Sequence, residues 1–118
     1  MPAMTQLHVA CIQLNSGSIM EANIRHIERM VGEAASGGAK LITLPENCFL
    51  MEEPGQRLKD GQSARVFYSA EEHPGMSAAA EMARAHGIWL LVGSLAVKID
   101  DSGKTVNRSI LFDDQGNQ

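Results

Sequence analysis

Apolar and polar positions alternate in two rhythms along this chain. Over Leu7–Gln13 the rhythm has a period of two, with Leu7, Val9 and Cys11 on one side and Ala10 and Ile12 on the other. Apolar residues on both sides predict a strand covered on both faces. After a turn at Asn15–Ser18 the rhythm lengthens: Met20, Ile24, Ile27, Val31 and Ala34 follow at spacings of three and four, while Arg25, Glu28, Arg29 and Glu33 lie mostly off that stripe. This predicts an amphipathic helix with one buried face. Ser18 as N-cap and Glu21 three positions later have the form of a reciprocal capping box. Gly37 and Gly38 should end the helix, since glycine enters the left-handed conformation without a steric cost. Leu41–Leu44 is a short apolar strand closed by Pro45, which lacks the N–H a ladder needs. Strand, helix and strand with short connections form a βαβ unit, with parallel strands and a right-handed crossover.

The middle of the chain is less regular. Residues from Glu46 to Gly61 mix apolar and polar types with Pro54, Gly55 and Gly61, and read as a long loop of the kind that often carries function. A short helical piece is expected within Gln62–Ala70. A firmer helix is expected over Met76–Ala85, with Met76, Ala79, Ala80 and Ala83 on one side and His86–Gly87 at its end. Ile88–Val92 is a compact strand, which Leu95–Ile99 continues after a bend at Gly93–Ser94. The turn Asp101–Ser102–Gly103 leads into a strand over Thr105–Phe112, and Asp113–Gly116 forms a second turn. Only Asn117 and Gln118 follow it, too few for a returning strand. The sequence is therefore expected to be a piece of a larger domain.

Composition narrows the functional classes. Ten Lys plus Arg against 14 Asp plus Glu give a formal charge of −4 over 118 residues, and 44% of residues are hydrophobic. That is a globular rather than a disordered balance. With no basic block to neutralise phosphates, nucleic acid is not an expected partner. No run of about eighteen apolar residues can cross a bilayer. Met1–Gln6 lacks the features of a secretory signal, and two cysteines give no disulfide framework, so a cytoplasmic setting is expected.

Among polar residues Glu46 stands out. It follows Pro45 at the carboxyl end of a predicted parallel strand, the edge at which open α/β sheets place ligands. A carboxylate held and partly desolvated there can accept and return protons near neutral pH. A solvated loop glutamate, or an acid at a helix N-terminus, explains the same position. Cys48 lies two residues on, but nothing local activates it, and a small apolar residue packed beneath the loop is the simpler reading. Cys11 reads as core. His8, His26, His73 and His86 match no zinc spacing and read as scattered surface residues, so no metal site is expected. Gly32, Gly37 and Gly38 close a helix instead of opening one and make no phosphate loop. Ser94 is a candidate hydrogen-bonding residue without a local base. Asn107, whose amide both donates and accepts, is read as satisfying buried backbone groups. The Asn107–Arg108–Ser109 glycosylation pattern is expected to stay unmodified inside a strand. These residues alone contain no complete hydrolytic centre.

Taken in order, several segments resemble the nitrilase superfamily, the carbon–nitrogen hydrolases. They are Val9–Leu14, Asn23, Gly38–Ile42 leading to Leu44–Pro45–Glu46, Gly87–Ser94, Asn107–Phe112 and Asp114–Gly116. Each is weak alone, but the ordered set covers almost the whole chain, and Leu44–Met51 most resembles the bacterial Nit-type amidases.

The resemblance implies an α/β fold, the N-terminal part of a four-layer αββα sandwich, usually in homo-oligomers. It implies a Cys–Glu–Lys centre with no metal or organic cofactor. Glu46 aligns with the general base; Cys48 does not align with the nucleophile. The family's lysine and nucleophilic cysteine would both fall beyond Gln118, so residues 5–118 are expected to be an incomplete domain, inactive alone. A second glutamate often found near the centre is not assigned in this sequence. The activity implied for the full-length parent is hydrolysis of a small amide to carboxylic acid and ammonia through a cysteine thioester. Nitrile hydrolysis and N-acyl transfer stay open, as does a noncatalytic α/β binding protein. The half-sandwich is expected to expose strand edges and an apolar face.

Overall fold

A computed structural model describes residues 5–52 and 67–118. In chain order the elements are β1 (Val9–Cys11), α1 (Met20–Ser36), β2 (Leu41–Leu44), α2 (Pro74–His86), β3 (Trp89–Lys98) and β4 (Thr105–Phe112). They build one mixed sheet of order β1-β2-β3-β4, in which β1, β2 and β3 run parallel and β4 returns antiparallel to β3. The helices pack on one face of this sheet and against each other. The result is an α/β layer pair of the type that forms the N-terminal part of the nitrilase-like αββα fold.

The apolar rhythms account for these elements. Ile27 and Val31 are fully buried, and Met20, Ile24 and Ala34 pack partly buried beside them. From the sheet, Ile42, Leu44, Leu90, Val92, Leu95, Val97 and Phe112 meet the helices. Alanine at 79 and 83 on α2 is fully buried, which allows close approach of helix to sheet.

Four expectations change. First, β1 is shorter than Leu7–Gln13 because its neighbour β2 has only four residues to pair with. Single bonds extend the pairing at either end, from Lys40 N–H to the His8 carbonyl (2.8 Å) and from Ile12 N–H to the Thr43 carbonyl (2.9 Å). Second, α1 has no capping box: its N-cap is Ile19, with no side-chain cap. The chain entering the helix is pinned from within instead, by the buried Asn23 amide. That amide accepts from Gly17 N–H at 2.9 Å and donates to the Gly17 carbonyl at 2.8 Å. Glu21 pairs with Arg25 at 2.6 Å. The other end is as expected, with Gly37 as C-cap and Gly38 left-handed at φ 98°.

Third, α2 begins two residues before Met76, because Pro74 suits the first helical turn and His73 caps it: Nδ1 accepts the Gly75 N–H at 2.9 Å. His73 is thus buried, against the surface role expected of it, with the Phe49 and Tyr68 rings 6.0 and 5.7 Å away. Fourth, Cys11 is exposed. It lies in a row across the sheet with Thr43, Leu91 and Leu111, on the face opposite the helices. Val9, Leu41 and Trp89 form the next row, so β1 is covered on one side only. Leu7, Val9, Trp89 and Leu111 expose 55, 48, 46 and 43% of their surface on this face.

The bend at Gly93–Ser94 is a register shift between Val92 and Leu95 within one continuous β3, and β4 has the expected bounds. The helical piece expected within Gln62–Ala70 lies outside the described residues for 62–66, as does the loop over 53–61.

Candidate functional site

Parallel strands leave their carboxyl ends at a common edge, and β2 delivers Pro45 and Glu46 there. Glu46 opens a turn over 46–49 that drops Cys48 and Phe49 into the core, both about 1% exposed. Burying these two side chains anchors the turn from below. Asn47, between them and Glu46, has a left-handed backbone at φ 49°, which asparagine tolerates better than most residues.

The β3 bulge holds this turn from the side. A Cβ on Gly93 would lie 2.1 Å from the Leu44 carbonyl oxygen and 2.7 Å from the Pro45 carbonyl carbon. Absence of a side chain there lets β3 press against the strand end carrying Glu46. The next residue, Ser94, is buried, and its hydroxyl oxygen accepts the Asn47 N–H at 3.2 Å. Ser94 therefore has the hydrogen-bonding role read for it.

Asn107 behaves otherwise than expected. Among the described residues it satisfies no buried backbone group: it is exposed on β4, and its Nδ2 donates to Glu46 Oε1 at 3.2 Å. Strand alternation explains this, because Thr105, Asn107, Ser109 and Leu111 all point to the face opposite the helices. Ser109, from the same row, donates to the Val92 carbonyl at 3.2 Å. The contact between 46 and 107 spans 61 positions, so no local spacing signals it. Glu46 is itself exposed, so the desolvation expected at the strand end is not provided by the described residues.

Cys48 fits its packing role. Burial pushes its thiol up to about 12, with backbone N–H groups at Cys48 and Phe49 pulling less strongly the other way. A thiol so held is a poor nucleophile. Among the described residues, no three His, Cys, Asp or Glu side chains gather as a metal site, and no helix is long and apolar enough to cross a membrane.

Comparison with known proteins agrees with this geometry. The carbon–nitrogen hydrolase family model matches residues 8–118. The chain is 32% identical over 117 residues to a deaminated glutathione amidase of Yersinia enterocolitica, covering 96% of the chain and 37% of that protein. It is 34% identical over 116 residues to the omega-amidase NIT2 of Homo sapiens, covering 96% and 38%. The structure superposes on an amidase from Nesterenkonia sp. with a TM-score of 0.71 at 25% identity, over 94% of this chain and 40% of that one. The chain thus spans under two fifths of the curated relatives' length. A family match over nearly every residue, on a βαβ sheet that brings Leu44–Pro45–Glu46 to its carboxyl edge, makes this chain a member of the carbon–nitrogen hydrolases, the nitrilase superfamily, related to its Nit-type amidases.

Proposed function

We propose that this chain supplies the general base, Glu46, to an amidase whose catalytic lysine and nucleophilic cysteine come from sequence following Gln118. The observation that carries the reading is the position of Glu46: at the carboxyl end of β2, held by contacts from β3 and β4, in a chain of this family.

The chemistry follows from what a carboxylate can do there. Glu46 takes the proton of the cysteine thiol, and the thiolate attacks the amide carbon. The lysine ammonium stabilises the oxyanion that forms. Glu46 then returns the proton to the departing nitrogen, ammonia leaves, and a thioester remains. Water attacks this thioester, Glu46 takes its proton, and the carboxylic acid is released with the thiol regenerated. On this reading the cysteine and the substrate approach Glu46 from the face of the sheet opposite the helices, the face that carries Asn107. Cys48 has no part in the reaction, since it is buried on the other side of the turn. The proposed substrate class is a small amide, the proposed setting cytoplasmic, and the full-length protein a homo-oligomer.

Ammonia release over small amides and dicarboxylate monoamides tests the reading. The full-length parent should turn over at least one of them, Glu46→Gln should lose about a thousandfold in rate, and the 118-residue chain alone should be silent. Turnover by the isolated chain, or an undiminished Glu46→Gln rate, overturns it.

A further inference from the structure

The bond between β4 and the base residue has a chemical character that a packing contact does not require. Glu46 is exposed and its side chain has three rotatable bonds, so without a partner the carboxylate samples many directions. Asn107 fixes one of its oxygens at 3.2 Å. The donor must be the amide nitrogen, because an ionised carboxylate only accepts. The backbone beneath each partner is held separately. Asn107 sits in the β3–β4 ladder opposite Ala96, and the turn at Glu46 is tied to β3 through Asn47 and Ser94. The side-chain bond is therefore not needed to place either strand. What it does is aim the carboxylate.

The identity of the donor matters as well. Lysine or arginine at 107 would add a full positive charge beside the carboxylate and favour its ionised form strongly, which opposes proton uptake. A neutral amide orients the group without setting a charge beside it. Taking Glu46 as the base, we infer that Asn107 is a positioning residue that orients the Glu46 carboxylate for proton transfer. It acts through Glu46 and does not touch the reacting atoms.

The test uses the full-length protein with steady-state ammonia release across pH, comparing Asn107→Ala, Asn107→Asp, Thr105→Ala and Glu46→Gln. Thr105 occupies the same face of β4 two residues away. Asn107→Ala should lower kcat about tenfold with KM nearly unchanged, while Thr105→Ala leaves both as they are. Asn107→Asp keeps the shape of the side chain but sets a second carboxylate against Glu46. It should lower kcat at neutral pH and move the acid limb of the kcat profile to higher pH. An Asn107→Ala enzyme with unchanged kcat, or one altered only in KM, overturns the inference, as does an Asn107→Asp profile with an unmoved acid limb. Those results beside an inactive Glu46→Gln would leave the base assignment standing, whereas an active Glu46→Gln removes it.

Discussion

Gly93 lies against the end of β2 so closely that a Cβ on it would meet the Leu44 carbonyl oxygen at 2.1 Å. That atom belongs to backbone, which cannot swing aside as a flexible side chain can. Gly93→Ala should therefore separate β2 from β3 at the point where Pro45 and Glu46 leave the sheet. The expected loss of stability is about 3 kcal/mol, read as a lower urea midpoint. On the proposed reading of Glu46 as the base, kcat of the full-length protein should fall as well, because that side chain moves with the strand end. A midpoint within error of wild type would show that the strand end yields freely.

A second close contact locks the turn after Glu46. A Cβ on Gly75 would stand 2.5 Å from the Phe49 ring, so α2 can start only where that ring allows. Gly75→Ala should cost about 2 kcal/mol and Phe49→Ala about 4 kcal/mol. Removing the ring makes room for the added methyl. The double variant should accordingly be less destabilised than the sum by about 1 kcal/mol or more. Additive losses in denaturant unfolding would mean that the two positions do not compete for the same space.

These two glycines show where sequence reading reaches and where it stops. The βαβ unit, the continuation of β3 through a bend and the bounds of β4 were legible because hydrophobic period and turn residues are local signals. The position of Glu46 at a strand end was legible for the same reason. Local reading failed where the deciding partner is remote. Ser18 and Glu21 have the form of a capping box, but Asn23 holds the preceding turn through Gly17. His73 stands before a proline in an ordinary loop pattern, and its burial depends on Phe49 and Tyr68. Cys11 sits in an apolar strand, yet its exposure follows from which face the helices take. Asn107 was visible as a versatile amide, but its partner lies on another strand, brought near only by the sheet.

Asn23, one of the residues that carries the family resemblance, joins three backbone groups. Besides its two bonds to Gly17, its Nδ2 donates to the Phe49 carbonyl at 2.8 Å. Asn23→Asp keeps the acceptor for Gly17 N–H but turns a negative oxygen toward two carbonyls. It should cost about 3 kcal/mol at pH 7. Burial and those carbonyls hold the new carboxyl above its unfolded value of about 4. The variant's stability relative to wild type should then be best below that pH and fall as pH rises through the folded value. Unfolding of both proteins at matched pH values checks this. A difference that stays constant with pH would mean that the substituted side chain has left the site.

The two cysteines should separate cleanly in reactivity and in their effect on stability. Cys11 is exposed, whereas Cys48 is about 1% exposed and its thiol is pushed from 9.0 up to about 12. A thiol reagent at pH 8 should modify one equivalent quickly, and the second only on unfolding, with Cys11→Ser removing the fast phase. For stability the sign follows from which state loses its proton first. In the unfolded chain the Cys48 thiol ionises near its ordinary value, while the folded protein keeps the proton, so alkali favours unfolding. This contribution is fully present below about pH 9 and fades as pH rises toward 12, by about 1 to 2 kcal/mol at pH 10. Other groups titrate in the same range, so the measurement is the difference between wild type and Cys48→Ala at each pH. That difference should shrink steadily above pH 9. A constant difference, or two equivalents of thiol reacting at one rate at pH 8, would show that Cys48 is open to solvent, and the anchored turn beneath Glu46 would have to be abandoned.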